Sequence, residues 1–311
     1  MRLAIGVIVT SGYRPETDFL FGRAGAQSAE GFYALQAHLQ SGQVNRAMPR
    51  DRQLTGLRLV QSRKFPTDVA RNEICQAVLD GDEDYLLFLD ADMVHPATLV
   101  ESLLAADKPV ITARYHLKKE PFAAIAYVKH RTQEGPHRYA SVHFGTGVFE
   151  IERAGAGALL IRRDVLQGIQ ARQRRLWAQA LDETGALPPD LRNLLDVPPD
   201  PVCQWFRYQR APEKPHDMTV SEDFWFFQQA REAGFSCWIN WDVECPHIGS
   251  MAIDGAWNQP FVHKQVSEHT DPKVRDTVLS NTIVCGYPGG MQLGDDPADH
   301  VAPYVITAGE R

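Results

Sequence analysis

Two aspartates follow an apolar run that has the length of a buried strand. The run is Tyr85–Leu89, and Asp90, Ala91 and Asp92 come directly after it. Residues i and i+2 point to the same side of an extended chain, so the two carboxylates are expected to face the same way. Neighbouring carboxylates raise each other's pKa unless a cation lies between them. The pattern therefore indicates either a site for a hard divalent cation that bridges to phosphate oxygens, or a solvated turn with two unrelated aspartates.

A second acidic pair and a histidine occur later in the chain. Ser221 is a helix-capping residue type, and Glu222 and Asp223 in the first turn of that helix are favoured by its dipole. This preference alone can account for the two acids, because acidic residues are ordinary at helix starts. His247 follows a short predicted strand. It is either a structural histidine or the third ligand that a metal site built on two aspartates lacks.

Alternating strands and helices must position these residues. The apolar runs of strand length are Leu3–Val9, Leu57–Gln61, Tyr85–Leu89 and Pro109–Thr112. One helical pattern of apolar residues follows Pro66, between the second and third of these strands. Another follows Pro96, between the third and fourth. Strands that alternate with helices predict a mostly parallel sheet covered by helices on both faces. Ligand sites in such sheets lie at the carboxyl ends of strands, which is where Asp90 and Asp92 fall.

The chain is less regular beyond residue 120. Short strands with aromatic residues and valine predict a smaller antiparallel region between 122 and 150. A helical pattern follows over 164–179, and the proline-rich stretch 185–201 is a predicted loop or insertion. The last predicted helix begins at Ser221 and stops before Gly234, a residue type that closes many helices in the left-handed conformation.

The composition excludes several classes of protein. The chain has 311 residues, of which 44% are apolar, so it can bury a core without disulfides or metals. Disorder, collagen-like repeats and coiled coils do not fit this composition. A net charge of −7 argues weakly against a protein whose main activity is binding the phosphate backbone of nucleic acids. Three basic islands in the sequence are nevertheless compatible with a nucleic-acid acceptor. The islands are Lys118–Arg138, Arg162–Arg163 and Arg172–Arg175.

Two further features concern the location of the protein in the cell. No apolar run approaches the roughly 20 residues that a membrane-spanning helix needs. The five cysteines are an odd number and include no CxxC pair, which is typical of a reducing compartment. We therefore expect a soluble cytoplasmic protein with no membrane partner.

The order of these motifs resembles that of the GT-A-fold glycosyltransferases, which use nucleotide-diphosphate sugars and carry a DxD motif. The matching segments are Ala70–Asn72, Leu87–Met93, Gly155–Arg163, Ser221–Asp223 and His247–Gly249. The resemblance implies an α/β fold of GT-A type. Its mostly parallel central sheet would be flanked by helices on both faces, with a smaller antiparallel or variable region on the acceptor side.

The resemblance also implies a division of the chain. Residues 1–250 would form the glycosyltransferase domain, with a nucleotide-sugar-binding half over 1–115 and an acceptor-side half over 116–250. The second half would contain an insertion at about 165–219. Residues 251–311 would be a C-terminal extension, and nothing in the family pattern matches them.

The resemblance further implies roles for individual residues. Asp92 would bind Mn²⁺ or Mg²⁺, Asp90 would bind the metal or the ribose, and His247 would complete the metal site. Asp223 would act as the general base of an inverting enzyme, and Glu222 would orient the acceptor or cap the backbone. The expected donor-binding residues are Thr10, Gly12, Tyr13, Arg71, Asp90, Ala91, Gly155 and Gly157. A plain turn explains residues 10–13 and the glycines equally well, and a solvated helix face explains Arg71.

These expectations define a function and its alternatives. We expect a metal-dependent glycosyltransferase that moves a sugar from a nucleotide-diphosphate donor, a UDP-sugar being favoured, to an acceptor hydroxyl. Inversion at the sugar is favoured over retention, which some similar metal-dependent enzymes show. The acceptor could be a saccharide, a protein or a modified DNA base. One alternative is a nucleotidyltransferase acting on sugar phosphates, which would carry a glycine-rich basic loop after the first strand. The other is a non-catalytic module that binds sugar or nucleic acid.

Overall fold

A mixed sheet organises the part of the chain that is described. The computed structural model describes residues 1–8, 31, 33–62, 64, 66–118, 122–129, 139–184, 203–211, 214–248, 252–253, 284–285 and 306–307. The predicted loop over 185–201 lies outside these residues, as does nearly all of the C-terminal extension. Among the described residues, no helix is both long enough and apolar enough to cross a bilayer.

The first 115 residues alternate between strands and helices, as the apolar pattern predicts. They contain β1 (Arg2–Ile8), α1 (33–40), α2 (Gln43–Ala47), β2 (Gly56–Ser62), α3 (Thr67–Asp80), β3 (Tyr85–Leu89), α4 (Leu99–Ala105) and β4 (Val110–Arg114). The predicted strands at Leu3–Val9, Leu57–Gln61, Tyr85–Leu89 and Pro109–Thr112 correspond to β1 to β4.

The later elements are shorter and more varied. They are β5 (Ala126–Lys129), β6 (Tyr139–Ser141), β7 (Val148–Ile151), β8 (Arg153–Ala154), β9 (Ala158–Arg162), α5 (Arg163–Thr184), β10 (Gln209–Ala211), β11 (Lys214–Val220), α6 (Glu222–Glu232) and β12 (Cys237–Glu244). Four two-residue strands follow, namely β13 (His247–Ile248), β14 (Ala252–Ile253), β15 (Val284–Cys285) and β16 (Ile306–Thr307). Strands β6, β5 and β8 form a small antiparallel sheet, in which β8 lies beyond the predicted limit at residue 150. Strand β7, which begins within the predicted region, belongs to the central sheet.

The central sheet has the strand order β2-β1-β3-β9-β4-β12-β7. Strands β2, β1 and β3 are parallel, whereas β9 pairs antiparallel with both β3 and β4. Strand β12 is parallel to β4, and β7 is antiparallel to β12. Five of the seven strands described in this sheet therefore run the same way, which confirms the prediction of a mostly parallel sheet.

The sheet separates two hydrophobic cores. Leu86 and Phe88 of β3 pack on the side of α3, α5 and α6, and Leu87 and Leu89 pack on the side of α2 and α4. This alternation follows from the two-residue period of a strand. Both faces of the sheet are thus covered by helices, as the sequence predicts.

The ends of α6 are also as predicted. The Ser221 side chain accepts a hydrogen bond from the backbone N–H of Phe224 at 3.4 Å, which satisfies one free donor of the first turn. Gly234 follows the helix with φ of 92°, a backbone conformation that side-chain-bearing residues rarely adopt. The cap places Glu222 and Asp223 in the first turn, at the edge of the sheet where the parallel strands have their carboxyl ends.

Asn72 of α3 fastens a distant segment to this edge. Its side-chain Nδ2 donates to the carbonyl of Phe206 at 2.8 Å, and its Oδ1 accepts from the Phe206 N–H at 2.9 Å. The Phe206 ring then lies edge-on to Phe88 at 5.3 Å and stacks on Phe226 at 4.7 Å between centroids. The side-chain amide of Asn72 therefore positions the Phe206 ring, and the aromatic rings packed on it, beside the preceding residue, Arg71.

We predict that Asn72→Ala lowers the free energy of unfolding by about 2 kcal/mol, because both backbone groups of Phe206 lose a buried partner. Urea unfolding of the full chain measures this change. Gln76→Ala, on the same helix, removes only an exposed hydrogen bond to Asp80 and should stay within about 0.5 kcal/mol of the wild type. Equal stability of the two variants would contradict the proposed role of Asn72.

Candidate functional site

A buried arginine joins the segments that the sequence singles out. Arg71 of α3 is only 2% exposed. Its Nη2 donates to both carboxylate oxygens of Asp90, at 3.1 and 3.2 Å, and its Nη1 donates to Oδ1 of Asp223. Oε1 of Glu222 lies 3.8 Å from Nη1. Three predicted site residues thus surround the side chain of a fourth.

The surroundings of Arg71 keep it charged. Burial opposes the charge of the guanidinium, but Asp223, Asp90 and Glu222 outweigh this effect and raise its pKa further. The rings of Phe88 and Phe206 lie 5.7 and 5.3 Å from its central carbon, within the range of cation–π attraction. Arg71 is therefore part of a packed centre, and the interpretation of a solvated helix face is wrong.

The acidic pair at the start of α6 is shifted towards the neutral form. Burial and the neighbouring charge of Asp223 raise the pKa of Glu222 to about 7, although Arg71 and a hydrogen bond with Tyr208 act against the shift. Burial also raises the pKa of Asp223, Arg71 counteracts this, and the charge of Asp90 adds to the rise. A carboxyl group whose pKa approaches neutrality can accept and release a proton in catalysis.

The glycine turn before β9 packs against the same centre. A Cβ atom on Gly155 would lie 1.6 Å from Oη of Tyr115, and one on Gly157 would lie 2.4 Å from Sδ of Met93. The Gly157 carbonyl accepts a hydrogen bond from the N–H of Asp90 at 2.9 Å. A side chain at either position would therefore force Tyr115 or Met93 to move, which favours glycine there. Donor binding by Gly155 and Gly157 stays a prediction.

Asp92 has different partners from Asp90. Nζ of Lys118 lies 2.5 Å and Nε2 of His247 lies 3.5 Å from the same oxygen, Oδ2 of Asp92. Partial burial would raise the pKa of Asp92, but the hydrogen bonds from His247 and Lys118 outweigh it and hold the pKa well below its usual range. His247 is in turn fixed by a hydrogen bond of 2.8 Å between its Nδ1 and the carbonyl of His116.

This arrangement can be tested against the predicted divalent cation. Among the described residues, no three histidine, cysteine, aspartate or glutamate side chains converge closely enough to hold a metal ion. Asp92 and His247 are neighbours, but the carboxylate of Asp90 is bound by Arg71. The strand ends at Leu89 and the chain turns at Ala91, so the two-residue period of a strand does not extend to Asp92. As arranged, these residues do not fit a three-ligand cation site, and metal dependence stays a prediction.

Some predicted site residues cannot be placed in this centre. Thr10, Gly12 and Tyr13 lie outside the described residues, and so does Gly249. Ala91 lies in the exposed turn between the two aspartates. Their roles in donor binding stay predictions.

Two side chains at this edge of the sheet are not singled out by the sequence pattern. The hydroxyl oxygen of Tyr115 accepts a hydrogen bond from the backbone N–H of Gly157 at 3.3 Å, beside the glycine turn. In the sequence, Lys118 is distinguished only as the first residue of a basic island. Both follow the carboxyl end of β4, two strands from β3 in the sheet. The rule that places ligand sites at the carboxyl ends of strands, applied to β4 as well as to β3, would have found them.

Comparisons with known proteins return distant structural likenesses. No protein-family model matches the chain, and no curated protein matches it. The crystal structure of A197 from STIV is similar over 82% of this chain and 91% of that chain, with 16% identity and a TM-score of 0.40. The apo form of a UDP-glucose pyrophosphorylase is similar over 84% of this chain and 82% of that one, with 13% identity and a TM-score of 0.33.

A third solved structure matches a smaller part of the chain. It is described as a nucleotide-diphospho-sugar transferase from Desulfovibrio desulfuricans G20. The match covers 36% of this chain and 58% of that chain, with 12% identity and a TM-score of 0.24. Likenesses of this size leave the assignment of a function to the geometry of the site.

We predict that Arg71→Met lowers the free energy of unfolding by about 3–5 kcal/mol at neutral pH, because it leaves three carboxylates without their buried cation. The loss should shrink as the pH falls from about 8 to about 5, since these carboxylates then take up protons in the folded variant. Urea unfolding at several pH values measures both effects.

A matched control is available at the surface. Arg231 also faces two carboxylates, Glu150 at 3.4 Å and Glu152 at 2.9 Å, but its side chain is 31% exposed. Arg231→Met should cost about 1 kcal/mol or less. A loss at Arg71 no larger than the loss at Arg231 would contradict the assignment of Arg71 as the cation of a buried centre.

The raised pKa of Glu222 predicts a pH dependence of stability. Because the folded state holds this proton more tightly than the unfolded chain, its contribution to stability is complete below about pH 4.5 and is lost as the pH rises through about 7. Glu222→Gln removes the titration. We expect the variant to gain about 2 kcal/mol relative to the wild type between about pH 5 and pH 8. Parallel stability profiles for the two proteins would show that Glu222 does not titrate in this way.

Proposed function

We propose that the chain is a glycosyltransferase that uses a nucleotide-diphosphate sugar. The observation that supports this most is the position of Asp223, which shares the Arg71 guanidinium with Asp90 at the carboxyl end of β3. Arg71 thereby binds both the carboxylate of Asp223, whose pKa is raised, and the carboxylate of Asp90, which follows the end of a strand. The glycine turn at Gly157 closes the same edge.

In the proposed reaction Asp223 is the general base. The oxygen of the acceptor hydroxyl forms a bond to the anomeric carbon, and the bond from that carbon to the diphosphate oxygen breaks. The electron pair of the broken bond leaves with the nucleoside diphosphate, and the hydroxyl proton moves to the Asp223 carboxylate. Arg71 orients that carboxylate, and Glu222 lies beside it to orient the acceptor. Inversion is the favoured outcome because a single carboxylate is assigned to deprotonate the acceptor.

Donor and acceptor classes complete the proposal. A UDP-sugar is the favoured donor, and the acceptor hydroxyl belongs to a saccharide, a protein or a modified DNA base. Dependence on Mn²⁺ or Mg²⁺ remains a prediction from the sequence, with Asp92 and His247 as the neighbouring ligands. No step is assigned to a metal ion, because Asp90 is engaged by Arg71.

The nucleotidyltransferase alternative differs from the proposed glycosyltransferase in the products it forms. It would be expected to carry a basic, glycine-rich loop directly after β1, and the segment Thr10–Arg14 is a poor version of such a loop. A glycosyltransferase releases a nucleoside diphosphate from the sugar nucleotide, by transfer or by slow hydrolysis. A nucleotidyltransferase instead forms a nucleoside triphosphate from the sugar nucleotide and pyrophosphate. A non-catalytic module would do neither.

The test is an assay of UDP-, GDP- and CMP-linked sugars with the full chain, each with Mn²⁺ and with EDTA, followed by chromatography of the nucleotide products. Release of a nucleoside diphosphate from a UDP- or GDP-linked sugar supports the proposal, whereas turnover of the CMP-linked sugar alone contradicts the proposed donor class. Formation of a nucleoside triphosphate with added pyrophosphate, or no turnover of any donor, contradicts it.

We predict that Asp223→Asn lowers the rate of donor turnover by about 10²–10⁴-fold, because the amide cannot accept the proton. Binding of the donor, measured by calorimetry, should be unchanged. Asp80→Asn, at the exposed end of α3, is the control and should keep wild-type activity. Full activity in Asp223→Asn would exclude Asp223 as the general base.

A further inference from the structure

Two separate cations neutralise the two aspartates of the Asp90–Asp92 turn. Arg71 binds Asp90 from the buried side of the sheet edge. Lys118 binds Asp92 on the outer side, where the side chains of Asp92 and Lys118 are 50% and 38% exposed. The outer pair is therefore open to solvent, whereas the Arg71 guanidinium of the inner group is buried.

Backbone contacts hold Lys118 beside Asp92. The N–H of Leu117 donates to the carbonyl of Ala123 at 2.9 Å, and His116 forms a β-bridge with Ala124. The carbonyl of His116 accepts the hydrogen bond from His247. These contacts run through the residues directly before Lys118, so its place at the sheet edge is set by the fold.

The Asp92 turn is tied to the same strip of chain. The N–H of Ile248 donates to the carbonyl of Asp92 at 2.7 Å, and Met93 forms a β-bridge with His247. His247 thus contacts the Lys118 segment through its ring and the Asp92 turn through its backbone. Lys118, Asp92 and His247 are consequently fixed relative to one another.

The chemistry of an ammonium group suits a diphosphate at this position. It carries three N–H donors, of which one is used by Asp92, and it has no acceptor. Lysine is an established partner of phosphate oxygens as a compact point charge. A divalent cation bound to Oδ2 of Asp92 would have to displace Lys118 from that oxygen.

We propose that Lys118 supplies the positive charge that receives the diphosphate of the donor, at the position where the sequence predicts a divalent cation. This inference rests on the proposed glycosyltransferase function and names the group that binds the leaving part of the donor. When the bond to the anomeric carbon breaks, its electron pair stays on the diphosphate oxygen. Lys118 remains protonated and donates hydrogen bonds to that oxygen, while Asp92 keeps the ammonium in place.

The experiment is isothermal titration of the full chain with UDP and with GDP, in EDTA and in Mn²⁺. We expect one nucleotide to bind the wild type in EDTA, and Lys118→Met to weaken this binding by at least about tenfold. Lys118→Arg keeps the charge and should stay within a few-fold of the wild type. Lys108→Met, which removes a lysine that lies over the Trp238 ring, is the control and should bind like the wild type.

Two results would overturn the inference, and they differ in what they mean for the function. If Lys118→Met binds a nucleotide as tightly as the wild type does, whether in EDTA or only with Mn²⁺, Lys118 is not the diphosphate partner but the glycosyltransferase proposal stands. If neither nucleotide binds the wild type in either condition, both proposals fail. Thermal unfolding of Lys118→Met within a few degrees of the wild type confirms that a weakened affinity does not reflect unfolding.

Discussion

The site depends on the burial of one guanidinium. A buried cation is costly unless carboxylates surround it, and Arg71 meets this requirement with Asp90, Asp223 and Glu222. These partners come from the end of β3 and the start of α6, so the same contacts that neutralise Arg71 fasten α3, β3 and α6 together. The geometry of the acidic residues is therefore a consequence of charge balance in the core.

Two groups of ion pairs lie at this edge of the sheet, an inner one around Arg71 and an outer one around Asp92. Around Arg71, three carboxylates share one cation, which leaves an excess of negative charge and favours a carboxyl group that takes up a proton. Around Asp92, Lys118 and His247 meet a single carboxylate on the solvent side. The carboxylate proposed as proton acceptor and the lysine proposed to bind the diphosphate are thus separated by the short turn from Asp90 to Asp92.

Strand β9 has a decisive effect on this edge. It enters between β3 and β4 and runs against both, so the glycine turn that precedes it lies beside the carboxyl end of β3. A parallel strand in the same place would present its other end. Gly155 and Gly157 allow the turn to pass Tyr115 and Met93 without a clash, which connects the residue type to the close packing around Asp90.

Local patterns in the sequence determine the strands β1 to β4, the helices on both faces of the sheet, and the ends of α6 at Ser221 and Gly234. They also single out Asp90 and Asp223 as candidates, since capping and strand ends are properties of near neighbours in the chain. Arg71 is a candidate only through the family resemblance. Only the tertiary structure decides that Arg71 pairs with Asp223, 152 residues away, that β9 is antiparallel, and that Lys118 binds Asp92. Such contacts depend on which strand ends and helix ends meet, and an apolar run such as Ala158–Ile161 has the same pattern in either strand direction.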